Sequence, residues 1–210
     1  MKQVIIIAGF VLVLSGCISV SVPNSPDPRF YTLPAQAPRS FNEAGPKKMN
    51  IFPNTFISIG PVKIPQDQDR PQIVTLGKDK TLNLAQFDRW GEPLDLGISR
   101  LIREDLAVIM PQVKFILYPW NSALAVKYQV IIEIMQLDSE LNGDMVLAAQ
   151  WVITDTQSMK PVMVKKSQFR QAIVPQDYFG LAKALSAACA SLSNDIAGAL
   201  AELPASKTNP

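Results

Sequence analysis

Tyr128-Gln129-Val130-Ile131-Ile132-Glu133-Ile134, then Asn142-Gly143, then Met145-Val146-Leu147-Ala148-Ala149-Gln150-Trp151-Val152-Ile153: this stretch decides the fold class. Two runs rich in β-branched and apolar residues flank an Asn-Gly pair. That pair is the strongest short-range hairpin signal, because both residues tolerate the positive φ of a tight turn. A further run over 162–173 is expected to return beside Trp151. Three consecutive strands follow from these residues alone.

Outward from the hairpin, residues 178–203 carry Leu181, Leu185, Ala188, Leu192, Ile196 and Leu200 on one helical stripe. This helix is rich in alanine and low in charge around Cys189, as suits a helix lying closely on a sheet. On the other side, 56–64 reads as a strand interrupted at Gly60-Pro61. After a polar loop over 65–71 come strands at 72–76 and 81–87, joined by Gly77-Lys78-Asp79-Lys80. Pro93 suits a first helical turn, and Leu94, Ile98, Leu101, Ile102, Asp105 and Ile109 follow helical spacing until Pro111 stops it. A short strand over 114–118 comes next, so a strand–helix–strand crossover is open. Phe30-Tyr31-Thr32-Leu33 reads as an edge strand. The expectation is one α+β domain: a single mixed, largely antiparallel sheet of about seven strands, with two helices packed on one face. No internal repeat is visible.

The first twenty residues have a different character. Lys2 precedes Val4-Ile5-Ile6-Ile7-Ala8-Gly9-Phe10-Val11-Leu12-Val13-Leu14. A spanning helix needs about 20 apolar residues; this run is too short for that and fits a secretory signal. It leads into Leu14-Ser15-Gly16-Cys17, a lipobox. The expectation is cleavage before Cys17, with a covalent diacylglyceryl and an N-acyl lipid on that residue and no other cofactor. Two or three acyl chains anchor stably where one does not, at about 0.8 kcal/mol per buried methylene. Ile18 and Ser19 follow, with no Asp beside the cysteine, which favours the outer membrane over the inner one. The expected organisation is a signal peptide at 1–16, then lipidated Cys17 with a proline-rich tether and irregular segment to 55. The folded domain covers 56–203 and a disordered tail 204–210.

Composition narrows the function. Without 1–16 the chain keeps 194 residues, enough for one domain with a real core. It then loses only Lys2 of its 20 basic residues against 18 acids, a balance that gives no reason to expect nucleic acid. The chain has no histidine, which removes Ser-His-Asp and Cys-His catalysis and any His-ligated metal. With Cys17 lipidated, Cys189 is the remaining thiol, so no internal disulfide can form and the thiol is expected to be buried. Asp67, Asp69, Asp79, Asp88, Glu92 and Asp95 lie close in sequence, but no spacing among them indicates the split pair that carboxylate catalysis requires. Scattered surface acids are the plainer reading, and the protein is expected not to be an enzyme.

Five landmarks together resemble a known family. They are the lipobox with Cys17; Phe30-Tyr31-Thr32-Leu33; Ile59-Gly60-Pro61-Val62-Lys63-Ile64-Pro65 with Asp69-Arg70-Pro71; Arg89-Trp90-Gly91-Glu92-Pro93-Leu94; and the three-strand-plus-helix tail. In this order they resemble the ABC-type transport auxiliary lipoproteins, among them the paraquat-inducible lipoproteins. The resemblance implies a non-enzymatic, outer-membrane-anchored component of an intermembrane lipid transport system. Its partner would be an MCE-domain protein of the inner membrane, and a homo-oligomeric ring would suit a symmetric conduit. Members often carry Tyr-Leu before the Asp-Arg-Pro, where this chain has Asp67-Gln68, which puts any apolar contact made there in doubt.

Candidate interface residues are Asp69, Arg70, Trp90, Glu92, Tyr118 and Trp120. Trp is enriched in interface hot spots, yet for Trp90 a core or hinge position packing helix to sheet is the plainer reading. Glu92 stands before a helix, where a carboxylate favours the positive end of the dipole. Asp69 and Arg70 suit a partner contact or a local loop ion pair, the local role being the plainer reading, and Tyr118-Pro119-Trp120 would end a strand in an aromatic patch. The competing function is a periplasmic lipid carrier, which would hold an acyl chain in a deep apolar cavity of its own.

Overall fold

The computed structural model describes residues 26–35 and 55–203. The signal at 1–16, Cys17, most of the tether and the 204–210 tail lie outside the described residues. Eight strands and two helices are present among the described residues: β1 (Arg29–Tyr31), β2 (Phe56–Lys63), β3 (Gln72–Leu76), β4 (Leu82–Trp90), α1 (Leu94–Ile109), β5 (Lys114–Leu117), β6 (Val126–Ser139), β7 (Asp144–Asp155), β8 (Lys160–Ala172) and α2 (Tyr178–Glu202).

The hairpin read from Asn142-Gly143 is β6–β7, paired from Tyr128↔Asp155 to Ser139↔Met145. Its turn is longer than two residues: Glu140 N–H donates to Asp144 O, and Gly143 N–H to Glu140 O. Both strands alternate between buried and less buried residues. Val130, Ile132, Met145, Leu147, Trp151 and Ile153 are fully buried on the inner face. β8 returns antiparallel with Trp151 opposite Lys165. β2 runs parallel to both β5 and β6, and its ladder shifts register between Ile59 and Val62. The irregularity expected at Gly60-Pro61 is there, as a cis peptide with Gly60 at φ 100°, a backbone region glycine enters without a Cβ clash.

The expectation of a single sheet is corrected. There are two mixed sheets, a five-stranded one in the order β5-β2-β6-β7-β8 and a three-stranded one in the order β1-β4-β3. The pairing is mixed, with three of the six strand pairs parallel, and the antiparallel β6–β7 and β7–β8 ladders are much the longest, as expected. The reason lies in occupied edges. β2 already has β5 on one side and β6 on the other, so the β3–β4 hairpin that follows it cannot add to it. The hairpin pairs instead with the N-terminal β1, which lies parallel to β4.

Both helices pack on the large sheet and on each other, α1 over β2 and β5, α2 over β7 and β8. α2 approaches closely because its inner face is small: Ala182, Ala184, Ser186, Ala188, Cys189 and Ser193 are all buried. Its buried serines return their hydroxyls to the carbonyls four residues back, Ser186 to Ala182 at 2.9 Å and Ser193 to Cys189 at 2.9 Å. Cys189 is fully buried, as expected, and burial pushes its thiol pKa up. The apolar gap bounded by Ile57, Met110, Val113, Tyr128, Leu200 and Leu203 measures about 10 Å³, room for no more than one water.

Candidate docking site

The site is built from the end of β4. Successive strand residues point to opposite faces, so Asp88 and Trp90 share the inner side, at 5% and 8% exposure. β1 runs beside them with Arg29 opposite Asp88 and Tyr31 opposite Trp90. Arg29 Nη2 donates to Asp88 Oδ2 at 2.9 Å, and Tyr31 Oη to Asp88 Oδ1 at 2.8 Å. A buried carboxylate requires such donors, and Asp88 has both. Burial first, then the bond to Asp88, raises the Tyr31 phenol pKa.

Where the chain leaves β4 it is clasped on two sides. Trp90 N–H donates to Pro71 O at 2.8 Å, and Gly91 N–H to Tyr31 O at 2.7 Å. A side chain at Gly91 would crowd Thr32, whose Cγ2 lies 3.2 Å from the Cβ position. Loop 69–71, the end of β1 and the segment before α1 are thereby held as one unit.

Glu92 is tied into α1 by an ion pair. Its carboxylate lies back along α1 and accepts from Arg100 Nη2 at 2.8 Å and Nε at 3.2 Å. Arg100 also reaches Glu104 at 3.3 Å and the Leu33 carbonyl at 3.4 Å. The bond to Glu92 is the main reason the Arg100 guanidinium pKa is raised. α1 itself starts at Pro93 with no side-chain cap.

These contacts shape a surface pocket of about 330 Å³ lined by Asp69, Arg70, Pro71, Trp90, Gly91, Glu92, Pro93 and Leu94. A second hollow of about 290 Å³ shares Asp69 and adds Val62, Lys63, Ile64 and Asp95. The structure thus brings Asp69, Arg70, Trp90 and Glu92 together, although more than twenty residues separate the first from the last. Trp90 belongs mainly to the core and offers the pocket only an edge. Asp69 and Arg70 are exposed, and among the described residues they make no ion pair with each other or with a third group.

Tyr118 and Trp120 stand apart from this pocket. They form an edge-to-face pair, 5.9 Å between ring centroids, after β5. Tyr118 is 47% exposed and its N–H bonds to Ile59 O at 2.9 Å. Its Cβ lies 3.6 Å from where a Cβ on Gly60 would stand, so the pair belongs to the Gly60-Pro61 corner.

At the family departure, Gln68 is 7% exposed, folded into its own loop through Pro65 O and Asp67. Position 68 therefore packs inward, and an apolar residue there would fill the loop. Sequence reading takes Asp88 for a scattered surface acid, which its burial corrects, and misses Arg100. The in-phase spacing of Asp88 with Trp90 could have found the first. The eight-residue separation of Glu92 from Arg100 gives no local signal for the second. Among the described residues no three His, Cys, Asp or Glu side chains gather as a metal group, and no helix is long and apolar enough to cross a membrane.

Comparison with solved structures places the fold. A crystal structure of an uncharacterized protein matches at TM-score 0.64 and 16% identity, covering 82% of this chain and 97% of that one. A Xanthomonas campestris protein of the DUF330 family matches at TM-score 0.64 and 12% identity, over 82% and 95%. A PelC dodecamer from Paraburkholderia phytofirmans matches more distantly, at TM-score 0.44 and 8% identity, over 70% and 90%. No curated protein matches the chain. The family model for the ABC-type transport auxiliary lipoprotein component matches residues 31–197, a span that begins at Tyr31 in β1, takes in the whole clasped pocket and ends within the last helix. The chain belongs to the ABC-type transport auxiliary lipoprotein component family.

Proposed function

We propose that this lipoprotein is anchored through Cys17 on the periplasmic face of the outer membrane and docks the far end of an MCE-type conduit for intermembrane lipid transport. The observation that carries the reading is the convergence of Asp69, Arg70, Trp90 and Glu92 on one pocket, with uncommitted charges at its rim. A loop–strand–helix junction with an apolar floor and a charged rim suits a protein partner. The tether of eleven residues, 18–28, spans roughly 35 Å when extended. That is short of a periplasm, so a partner must cross the remaining distance. A carrier would instead need room for an acyl chain; the gap bounded by Ile57, Met110, Val113, Tyr128, Leu200 and Leu203 offers about 10 Å³.

The test is affinity capture with the tagged mature lipoprotein, followed by native mass measurement. The expected result is recovery of an MCE-domain protein, lost by at least about tenfold when Arg70→Glu and Asp69→Arg are combined, since reversed rim charges oppose a complementary surface. Recovery of no MCE protein, with one lipid bound per monomer, would replace the dock with the carrier. The same mass measurement reads the ring expected for a symmetric tube.

A further inference from the structure

Asp105 lies on the inner side of α1, 4% exposed, facing α2. Its one hydrogen-bond partner among the described residues is Ser193 Oγ at 3.2 Å, and that hydroxyl is also 2.9 Å from the Cys189 carbonyl. A hydroxyl has one hydrogen, and Ser193 cannot give it to both acceptors. A protonated Asp105 resolves the conflict. Its own hydrogen goes to Ser193 Oγ, and the Ser193 hydrogen goes to the Cys189 carbonyl, so each donor has one acceptor.

Among the described residues no cation forms an ion pair with Asp105. On α1, Glu104 is a further negative charge, engaged by Arg100 and Arg103. On α2, Cys189 adds a buried thiol. Tyr178 turns to Tyr31, Asp195 to Ser167, Glu202 to Lys165, and Lys183 lies over the Phe179 ring. From the strands under α1, Lys63 of β2 is exposed and Lys114 of β5 lies over the Phe56 ring. Consistent with this, burial raises the Asp105 carboxyl pKa to about 6, with the Ser193 bond opposing and Glu104 adding to the rise.

We propose that Asp105 and Ser193 form a proton-operated latch between the two helices: the neutral acid closes the pair, and loss of the proton loosens it. A charge left in this interface has one weak donor and no solvent, so the helices open rather than hold it dry. Their opening bears on the clasped pocket, because Glu92 is fastened to Arg100 of the same helix.

Hydrogen exchange of the intact chain tests the latch, comparing wild type with Asp105→Asn at equal pH so that intrinsic exchange rates cancel. From about pH 5 to about pH 8, the wild type should lose at least about tenfold more protection across α1 and α2 than the variant, whose amide keeps the neutral hydrogen bond. A wild-type to variant ratio independent of pH would overturn the proposal. Should the variant fold poorly, carboxyl carbon NMR of the wild type reads the same group. An Asp105 titration midpoint near 6 supports the latch, and a midpoint near 4 ends it.

Discussion

Asp88 and Asp105 are both carboxyls removed from water, at 5% and 4% exposure, and their surroundings treat them in opposite ways. Asp88 receives a phenol and a guanidinium; Asp105 receives one shared hydroxyl. Removing the first should therefore destabilise. Asp88→Ala strands the Tyr31 hydroxyl and should cost about 2–4 kcal/mol by urea unfolding. The Arg29 part of that is small, because its side chain is 68% exposed and screened by water. For Asp105 the sign reverses. Its folded pKa is raised to about 6 from the ordinary 3.8, so the folded chain binds the proton more tightly than the unfolded one. Stability is then fullest below 3.8 and falls as pH rises toward and through 6, on the order of 3 kcal/mol in all. Asp105→Asn should raise the urea midpoint at about pH 7.5 and bring no gain near pH 4; an equal shift at both would contradict the assignment.

The elements divide into those that local chemistry determines and those that it does not. The hairpin at Asn142-Gly143, the α1 stop before Pro111 and the 25-residue α2 are written in turn residues and periodicity, so they were legible. Strand partners were not. The run 81–87 announces a strand but carries no mark saying that β1, more than fifty residues earlier, would pair with it in a separate sheet. The site was legible in the same uneven way. Asp69-Arg70 and Trp90-Gly91-Glu92 could be named, but the pocket they share depends on the Trp90 to Pro71 bond and on Arg100, which no local pattern exposes. One position in the first turn of α2 is severe by geometry. A Cβ on Gly180 would stand 1.7 Å from the Pro175 carbonyl oxygen, closer than any contact allows. Gly180→Ala should shift the first turn of α2 and destabilise by about 3 kcal/mol or more, read as a lower thermal midpoint.

For the molecule as a whole, the anchor and the fold are expected to be independent. Cys17→Ser should abolish incorporation of labelled palmitate and leave an uncleaved or unlipidated protein that membrane fractionation finds mislocalised, while circular dichroism of the domain stays unchanged. Continued lipid labelling of that variant would remove the lipobox reading. Two stability classes follow from the layering. The five-stranded sheet with its helices holds most of the buried residues, whereas the three-stranded sheet meets the rest chiefly through β3 on β6 and β1 on α2. Local opening should begin in the smaller sheet.

The parallel pairing of β1 with β4 also has a mechanical meaning. β1 is the first strand among the described residues, and any chain tension from a membrane attachment would reach it at Arg29. A pull along the length of β1 drags it past β4, loading the ladder and both Asp88 bonds at once in shear. An antiparallel hairpin pulled from one end would instead unzip bond by bond. The short strand thus works as a strain relief, and the force needed to strip it from the domain should drop when Asp88 is removed. Single-molecule pulling from the N-terminus would register that drop as an earlier first rupture.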